Sequence, residues 1–189
     1  MKVTKFIKLH KQLVFFLIMA LLIVLDAIFA KQIAPRDPLI AIMEKPLRAP
    51  DKINLLGTDT LGRDILSRII YGTRYSLFMT LMLVAVVFTL GTTLGLLAGY
   101  FGGIVDTIIM RLADMMVSFP GIILAIAIAG LLGPSMTNAI IAISAVTWPK
   151  YARLSRSMDL KIKKELYVEA ARLTGSRNKE ILFRYILPN

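Results

Sequence analysis

The sequence contains no cysteine and a single histidine, His10, among its 189 residues. The missing cysteine excludes a disulfide scaffold and a thiolate metal site, and one imidazole cannot build a histidine metal centre. Acidic residues are also few, with 12 Asp and Glu against 23 Lys and Arg and a net charge of +11. Hydrophobic residues make up 57%, above the range of ordinary soluble domains, which excludes intrinsic disorder. Such a chain is either a membrane protein or an unusually apolar nucleic-acid binder.

The positions of the basic residues decide between these two classes. Four lysines precede the first apolar run, eight Lys or Arg lie in residues 31–75, and ten lie in residues 150–189. Residues 76–149 hold one basic residue, Arg111. Basic segments that flank long apolar stretches are typical of membrane proteins, so we expect no nucleic acid among the partners.

The apolar stretches predict an all-α, polytopic membrane protein with four transmembrane helices. The predicted spans lie near residues 13–30, 76–100, 106–132 and 135–155. Gly133-Pro134 separates the last two spans, and Pro120 predicts a kink or break inside the third. The first run is interpreted as an uncleaved anchor, with a signal peptide as the alternative.

The density of basic residues predicts the orientation of these spans. The N-terminus would lie in the cytoplasm, together with the turn at residues 101–105 and the basic tail. Residues 31–75 would then lie outside. Residues 1–54 are accordingly interpreted as an N-terminal anchor helix followed by an external loop.

Two features within the predicted spans have more than one interpretation. Glycine recurs at every fourth position, which permits close helix approach within the subunit, with a substrate passage as the alternative. These glycines are Gly91, Gly95, Gly99 and Gly103. Arg111 and Asp114 are three residues apart, which predicts a local ion pair, with a gating role as the alternative.

A search for catalytic chemistry finds only an incomplete phosphate loop. Residues 57–64 carry two glycines at the right spacing, but Arg63 and Asp64 stand where Lys and Ser or Thr are required. No pattern for nucleophilic catalysis occurs either. We expect no catalytic, cofactor-binding or metal site and no enzyme activity, so any ATPase that drives transport would be a separate subunit.

The cytoplasmic tail carries the most specific pattern. Residues 160–173 predict an amphipathic helix that has Leu166, Ala170 and Leu173 on one face and ends at Thr174-Gly175. Ser176 would cap a second helix that continues towards Pro188. Physical chemistry alone leaves two roles open for this tail: docking to a partner protein, and contact with anionic lipid.

The tail resembles the EAA loop of ABC-importer permeases through Glu169-Ala170-Ala171, Gly175 and Ile186-Leu187-Pro188-Asn189. More narrowly, residues 55–189 resemble the permease family of dipeptide, oligopeptide and nickel importers. The motifs that carry this narrower resemblance are Gly57-Thr58-Asp59, Gly62-Arg63-Asp64, Ser67-Arg68, Tyr71-Gly72-Thr73-Arg74, Ser76-Leu77, Ala98-Gly99-Tyr100, Gly102-Gly103, Met110-Arg111, Asp114, Phe119-Pro120, Gly133-Pro134, Trp148 and Tyr151-Ala152-Arg153.

The resemblance implies that residues 55–189 form part of an importer transmembrane domain, with the EAA-type loop at about residues 160–189. The implied ATPase-coupling residues are Glu169, Ala170, Ala171 and Gly175. The resemblance therefore favours docking to cytoplasmic ATP-binding subunits over lipid contact alone. It also implies a second permease subunit, an extracytoplasmic substrate-binding protein and surrounding lipid in a bacterial or archaeal plasma membrane. The implied cargo is a peptide or nickel.

Two further expectations concern the whole chain. Permeases of this family continue with additional spans after the Leu-Pro-Asn, so the resemblance implies that the sequence is C-terminally truncated. The alternative function is a non-transporting membrane anchor or assembly protein that recruits a cytoplasmic partner. That alternative predicts that no uptake depends on this chain.

Overall fold

The structure, a computed structural model, describes residues 10–41 and 46–188, without the side chains of residues 179 and 183. Lys2, Lys5, Lys8 and Asn189 lie outside the described residues. The helices are α1 (Lys11–Ile33), α2 (Ile65–Phe101), α3 (Gly103–Ser118), α4 (Gly121–Leu132), α5 (Met136–Ile162), α6 (Leu166–Leu173), the single turn α7 (Asn178–Glu180) and a π-helix (Ile181–Ile186). Within the described ranges the only β pairing is an isolated bridge between Thr58 and Asp64, so the all-α prediction is confirmed.

Among the described residues, two helices are long and apolar enough to cross a bilayer: α1 with 23 residues and α2 with 37. The pair α3 and α4 adds a third candidate only if it counts as one broken span, because it is bent by 92°. Helix α5 does not qualify, since Lys150, Arg153 and Arg156 follow soon after its apolar first half. The four predicted spans are therefore not confirmed as such.

The breaks between helices follow local sequence chemistry. Gly102 separates α2 from α3 with φ +64°, and Gly133 separates α4 from α5 with φ +87°, conformations that favour glycine. Pro120, which cannot donate a backbone hydrogen bond, stands directly before α4, where a break was predicted. The Asn138 side-chain amide then donates to the carbonyls of Leu132 and Gly133 at 2.7 and 3.1 Å, so the open end of α4 is capped.

The chain divides into two units, residues 1–80 and residues 81–189. In the first unit, the segment between α1 and α2 is organised around the Asp59 carboxylate. Its Oδ1 accepts from the backbone N–H groups of Leu61 and Arg63, both at 2.9 Å. Its Oδ2 accepts from Arg63 Nε at 2.8 Å and from Arg68 Nη1. Partial desolvation opposes ionisation, but these hydrogen bonds outweigh it and lower the pKa of Asp59 to about 2.

The start of α2 is capped within the same unit. Asp64 precedes the first helical residue, and its Oδ2 accepts from the backbone N–H and the hydroxyl of Ser67 at 2.8 and 2.6 Å. Ser67 Oγ in turn accepts from the backbone N–H of Arg36 at 3.0 Å. The segment with phosphate-loop glycine spacing is therefore the N-terminal cap of a long helix.

In the second unit, the glycine stripe of α2 lies against α5. A Cβ on Gly91 would be 2.5 Å from Tyr151 Cβ, one on Gly95 would be 2.7 Å from Ser155 Cβ, and one on Gly99 would be 2.5 Å from Asp159 Oδ2. Close helix packing is confirmed for these three glycines. Gly103, the fourth glycine of the predicted stripe, begins α3 instead, and a Cβ there would contact nothing within 4 Å. Since rising positions on α2 meet rising positions on α5, the two helices run in the same direction.

Ion pairs join α3 to α5. Arg156 Nε and Nη2 donate to Asp106 Oδ1 and Oδ2, both at 2.5 Å. Arg153 Nη2 donates to Asp114 Oδ1 at 2.7 Å. The predicted ion pair between Asp114 and Arg111 is wrong, because the cation that reaches Asp114 comes from a neighbouring helix and not from its own.

The predicted helix over residues 160–173 is also wrong in its extent. Helix α5 continues to Ile162, and a short break precedes α6, which begins at Leu166. Ser176 does not cap the next helix. Arg177 stands at that position, and no side-chain hydrogen bond caps the helix there.

Candidate functional site

The predicted coupling residues lie on and directly after α6. Val168 and Ala171 form its inner face, with 0% and 6% of their surfaces exposed. Leu166 and Leu173 form its outer face and are 82% and 87% exposed. Ala170 lies on the outer face between them, and the neighbouring Glu169 is also exposed. Of the two alanines in the motif, only Ala170 is available to a partner, because Ala171 is buried within this chain.

Helix α6 ends as the Thr174-Gly175 pair predicts. Gly175 has φ +85°, its N–H donates to the carbonyl of Arg172 at 3.0 Å, and the N–H of Ser176 donates to the carbonyl of Ala171 at 3.1 Å. This pair of bonds is a Schellman motif, which closes the helix and turns the chain sharply. Gly175 therefore determines the direction in which the chain leaves α6.

A small apolar core packs against the inner face of α6. It consists of buried residues from α2, α6 and the π-helix: Tyr100, Val168, Ile181, Leu182 and Ile186. Leu96, Ile162 and Tyr185 pack around its edge. We call these eight residues the α6 platform. Burying side chains from the end of a long helix under α6 holds α6 in a definite position relative to α2.

Polar contacts to Tyr100 reinforce this arrangement. The Tyr100 hydroxyl donates to Asn178 Oδ1 at 2.7 Å, and Lys163 Nζ donates to the Tyr100 carbonyl at 2.6 Å. The cations of Lys163 and Arg172 lie 5.6 and 5.8 Å from the centre of the Tyr100 ring, within cation–π range. Lys163 also satisfies a carbonyl at the C-terminal end of α2, where positive charge is stabilising.

The exposed face of α6 has the geometry of a docking helix. Leu166, Ala170 and Leu173 are spaced i, i+4 and i+7, so they line one side of the helix. A partner that offers an apolar groove would bury this stripe, as amphipathic helices are bound elsewhere. Glu169 next to the stripe offers a carboxylate for a charge-assisted hydrogen bond.

Comparison with known proteins gives this surface a context. A family model described as binding-protein-dependent transport system inner membrane component matches residues 91–189, which include the entire α6 platform. The chain belongs to this family. The match covers most of the second unit and begins at the first glycine of the stripe on α2.

Relatives of the permease family extend the similarity into the first unit. The dipeptide transport system permease protein DppC of Haemophilus influenzae is 42% identical over 179 residues, covering 92% of this chain and 61% of the relative. DppC of Alkalihalophilus pseudofirmus is 41% identical over 185 residues, covering 98% of this chain and 61% of that relative. The glutathione transport system permease protein GsiD of Pectobacterium atrosepticum is 48% identical over 139 residues, 74% of this chain and 46% of its own length.

These similarities identify an ABC-importer permease of the dipeptide and oligopeptide family, and the relatives are transport permeases rather than enzymes. The family and the apolar helices together indicate a multi-pass protein of the inner membrane. The chain spans 61% of the length of each of the two DppC relatives.

Sequence reasoning missed the residues that hold the permease's α6 in place. Tyr100 and Asn178 are 78 positions apart, and Lys163 lies in the break between α5 and α6, so no local pattern connects them. The available signal was the motif Ala98-Gly99-Tyr100, which placed a tyrosine at the end of an apolar helix. Its partners became visible only once α2 and α5 were packed together.

Proposed function

We propose that this chain is a membrane-spanning permease subunit of an ATP-driven, binding-protein-dependent importer, and that α6 docks to a separate cytoplasmic ATP-binding subunit. The observation that carries the proposal is the outer face of α6, where Leu166 and Leu173 are more than four-fifths exposed although the helix itself is firmly seated. An exposed apolar stripe on a positioned helix is suited to a partner's groove.

The proposed topology has four spans with the N-terminus in the cytoplasm. Helices α1 and α2 would be the first two, the bent pair α3 and α4 the third, and residues 135–155 the fourth. The parallel direction of α2 and α5 supports this scheme, because one crossing between them must return the chain across the membrane. Charged residues in the second half of α5 would then lie at the cytoplasmic side, near α6.

Coupling would act through two connections to α6. The break at residues 163–165 joins it directly to α5, and the α6 platform joins it to the end of α2. A displacement of α6 by an ATP-binding subunit would therefore move both helices as packed elements, as rigid-body switches do. In this scheme Glu169 and Ala170 contact the partner, Ala171 anchors the helix from within, and Gly175 sets the exit of the chain.

The remaining partners and the cargo are part of the same proposal. A second permease subunit would complete the translocation path, and an extracytoplasmic binding protein would deliver the cargo. We propose a peptide as cargo, because the relatives are named for dipeptides and for glutathione. None of these relatives is named for nickel, the other cargo that the sequence resemblance implied.

The test compares two leucines of nearly equal exposure in the full-length complex. Leu173→Ala removes apolar surface from α6, whereas Leu131→Ala makes the same change on α4, where Leu131 is 88% exposed. We expect Leu173→Ala to weaken binding of the ATP-binding subunit about fivefold, or about 1 kcal/mol, and to lower cargo-stimulated ATP hydrolysis. Leu131→Ala should leave the affinity for that subunit unchanged. Equal affinities for both variants would argue against docking through α6.

A deletion of the gene separates transport from the alternative function of a non-transporting anchor. Loss of peptide uptake, restored by the full-length gene, is expected for a permease. Uptake that continues at the wild-type rate would favour the anchor and remove the basis for coupling.

A further inference from the structure

A buried carboxyl group lies where α2 and α5 meet the α6 platform. Asp159 is 1% exposed, and neither of its carboxyl oxygens has a hydrogen-bond partner within the described part of the chain. A buried ionised carboxylate without a partner is strongly unfavourable. Burial without a partner therefore favours the neutral acid over the ionised carboxylate at this position.

Gly99 provides the space for this carboxyl. A Cβ at Gly99 would lie 2.5 Å from Asp159 Oδ2 and 2.9 Å from Asp159 Cβ. Any larger residue would displace the Asp159 side chain. A close approach of α2 to α5 thus holds a titratable group, although an apolar residue would pack there at lower cost.

The adjacent cation is already engaged elsewhere. Lys163 Nζ donates to the carbonyl of Tyr100 at 2.6 Å and lies 3.5 Å from the carbonyl of Gly99, while its charge also stabilises an ionised Asp159. Asp159 and Lys163 are one helical turn apart on the same side of α5, so a change of side-chain rotamer brings their charged ends together. Lys163 thus has two possible partners: the end of α2 and the carboxyl of Asp159.

We propose that Asp159 is a positioning residue of the coupling step. When α6 is displaced, the Lys163 ammonium leaves the carbonyls of α2 and forms an ion pair with the Asp159 carboxylate, its second binding site. The proposal rests on the proposed function of α6. In the state seen here, Lys163 joins the end of α2 to the segment of residues 163–165 that leads into α6. In the second state, an ion pair with Asp159 replaces the hydrogen bonds from Lys163 to the α2 carbonyls. The end of α2 is then free to move.

The protonation state of Asp159 determines whether its carboxylate can bind the Lys163 ammonium. Burial raises the pKa of Asp159, which lies beyond the proposed fourth span, to about 6, and the attraction of Lys163 offsets only part of that rise. Above this pH the carboxylate can receive the ammonium, and below it the neutral acid cannot. Other polar or charged groups near this junction include Tyr100 on α2, Tyr185 on the π-helix, Arg172 on α6, and Ser155 and Arg156 on α5, of which Arg156 is bound to Asp106.

The first experiment measures the ratio of cargo-stimulated to basal ATP hydrolysis in the full-length complex at about pH 5 and about pH 8. The wild-type ratio should be about fivefold higher at the higher pH, the lower end of ordinary coupling between sites. Asp159→Asn, which keeps the shape but cannot ionise, should give a low ratio at both values. Lys163→Gln should also lose the pH response, because no ammonium remains to be received.

Asp114→Asn is the matched control, since it neutralises an exposed carboxylate on a neighbouring helix and should retain the wild-type pH response. An Asp159→Asn complex with the wild-type pH response would overturn the inference and leave the proposed function intact. A wild-type complex without any cargo stimulation would contradict the proposed function itself.

A second measurement does not depend on coupling. Infrared titration of the purified wild-type protein should show a protonated carboxyl band that disappears near pH 6 and is missing in Asp159→Asn. In Lys163→Gln the midpoint should move upwards, because the cation that favours ionisation is gone. A wild-type spectrum without this band, or an unchanged midpoint in Lys163→Gln, would overturn the proposed ion pair between Asp159 and Lys163.

Discussion

Arg156 on α5 holds the carboxylate of Asp106 on α3 through two hydrogen bonds, each 2.5 Å long, although 50 positions separate the two residues in the chain. The side chains are 33% and 20% exposed, so the pair is partly withdrawn from water. Bidentate pairs of this kind fix orientation as well as distance. This contact therefore fixes the position of α3 relative to α5.

The energetic weight of this pair can be measured by a double-mutant cycle. Arg156→Gln, Asp106→Asn and the double variant should reveal a coupling of about 1–3 kcal/mol in thermal or denaturant unfolding in detergent. The same cycle at Arg153 and Asp114, whose side chains are 44% and 58% exposed, should give about 1 kcal/mol or less. Equal coupling energies for both pairs would show that burial does not strengthen the first.

A glycine-to-alanine substitution should have opposite effects at two positions of α2, one in the glycine stripe and one outside it. Gly95→Ala should destabilise the fold by about 1–3 kcal/mol, because the added methyl would meet the backbone carbonyl of Ala152 as well as Ser155 Cβ. Gly72→Ala has nothing within 4 Å and should stabilise the helix by about 0.5–1 kcal/mol. Unfolding midpoints of the two variants in the same detergent provide the comparison. A Gly95→Ala variant as stable as wild type would contradict the close approach to α5.

The segment before α2 should loosen when its central carboxylate loses charge. Asp59→Asn retains the shape but weakens the bonds from Arg63 and Arg68, so amide hydrogen exchange at residues 57–63 should accelerate. Asp37→Asn is the control, because the carboxylate of exposed Asp37 accepts one local hydrogen bond, from the N–H of Leu39 at 2.9 Å. Unchanged exchange in Asp59→Asn would mean that other contacts organise this segment.

The absence of cysteine allows the topology to be tested with single substitutions. Leu39→Cys and Leu173→Cys place a thiol at positions that are 73% and 87% exposed. A membrane-impermeant maleimide added to spheroplasts should label Leu39→Cys alone, and added to inverted vesicles it should label Leu173→Cys alone. Labelling of Leu173→Cys from outside would reverse the proposed orientation. Protection of this thiol by the ATP-binding subunit would further support docking through α6.

Local chemistry made part of the fold and site predictable. The helix breaks at Gly102, Pro120, Gly133 and Gly175 depend on backbone φ and on missing donors, which neighbouring residues alone determine. Hydrophobic runs predicted α1 and α2, because the length and hydropathy of such a run are also properties of neighbouring residues in the chain. The break at residues 163–165 was missed, because the residues around it continue a helical pattern and no proline or glycine interrupts them.

The sequence by itself determined that the chain is helical, where most helices end, and that the tail carries an amphipathic helix with a glycine exit. Only the tertiary structure decided that Asp114 pairs with Arg153, that Tyr100 binds Asn178, and that Ala170 faces outward while Ala171 is buried. The physical reason is that helix ends depend on neighbours in the chain, whereas ion pairs and buried faces depend on which helices meet. The glycine stripe illustrates both cases: its spacing can be read from the sequence, but only the structure shows that Gly91, Gly95 and Gly99 pack against α5.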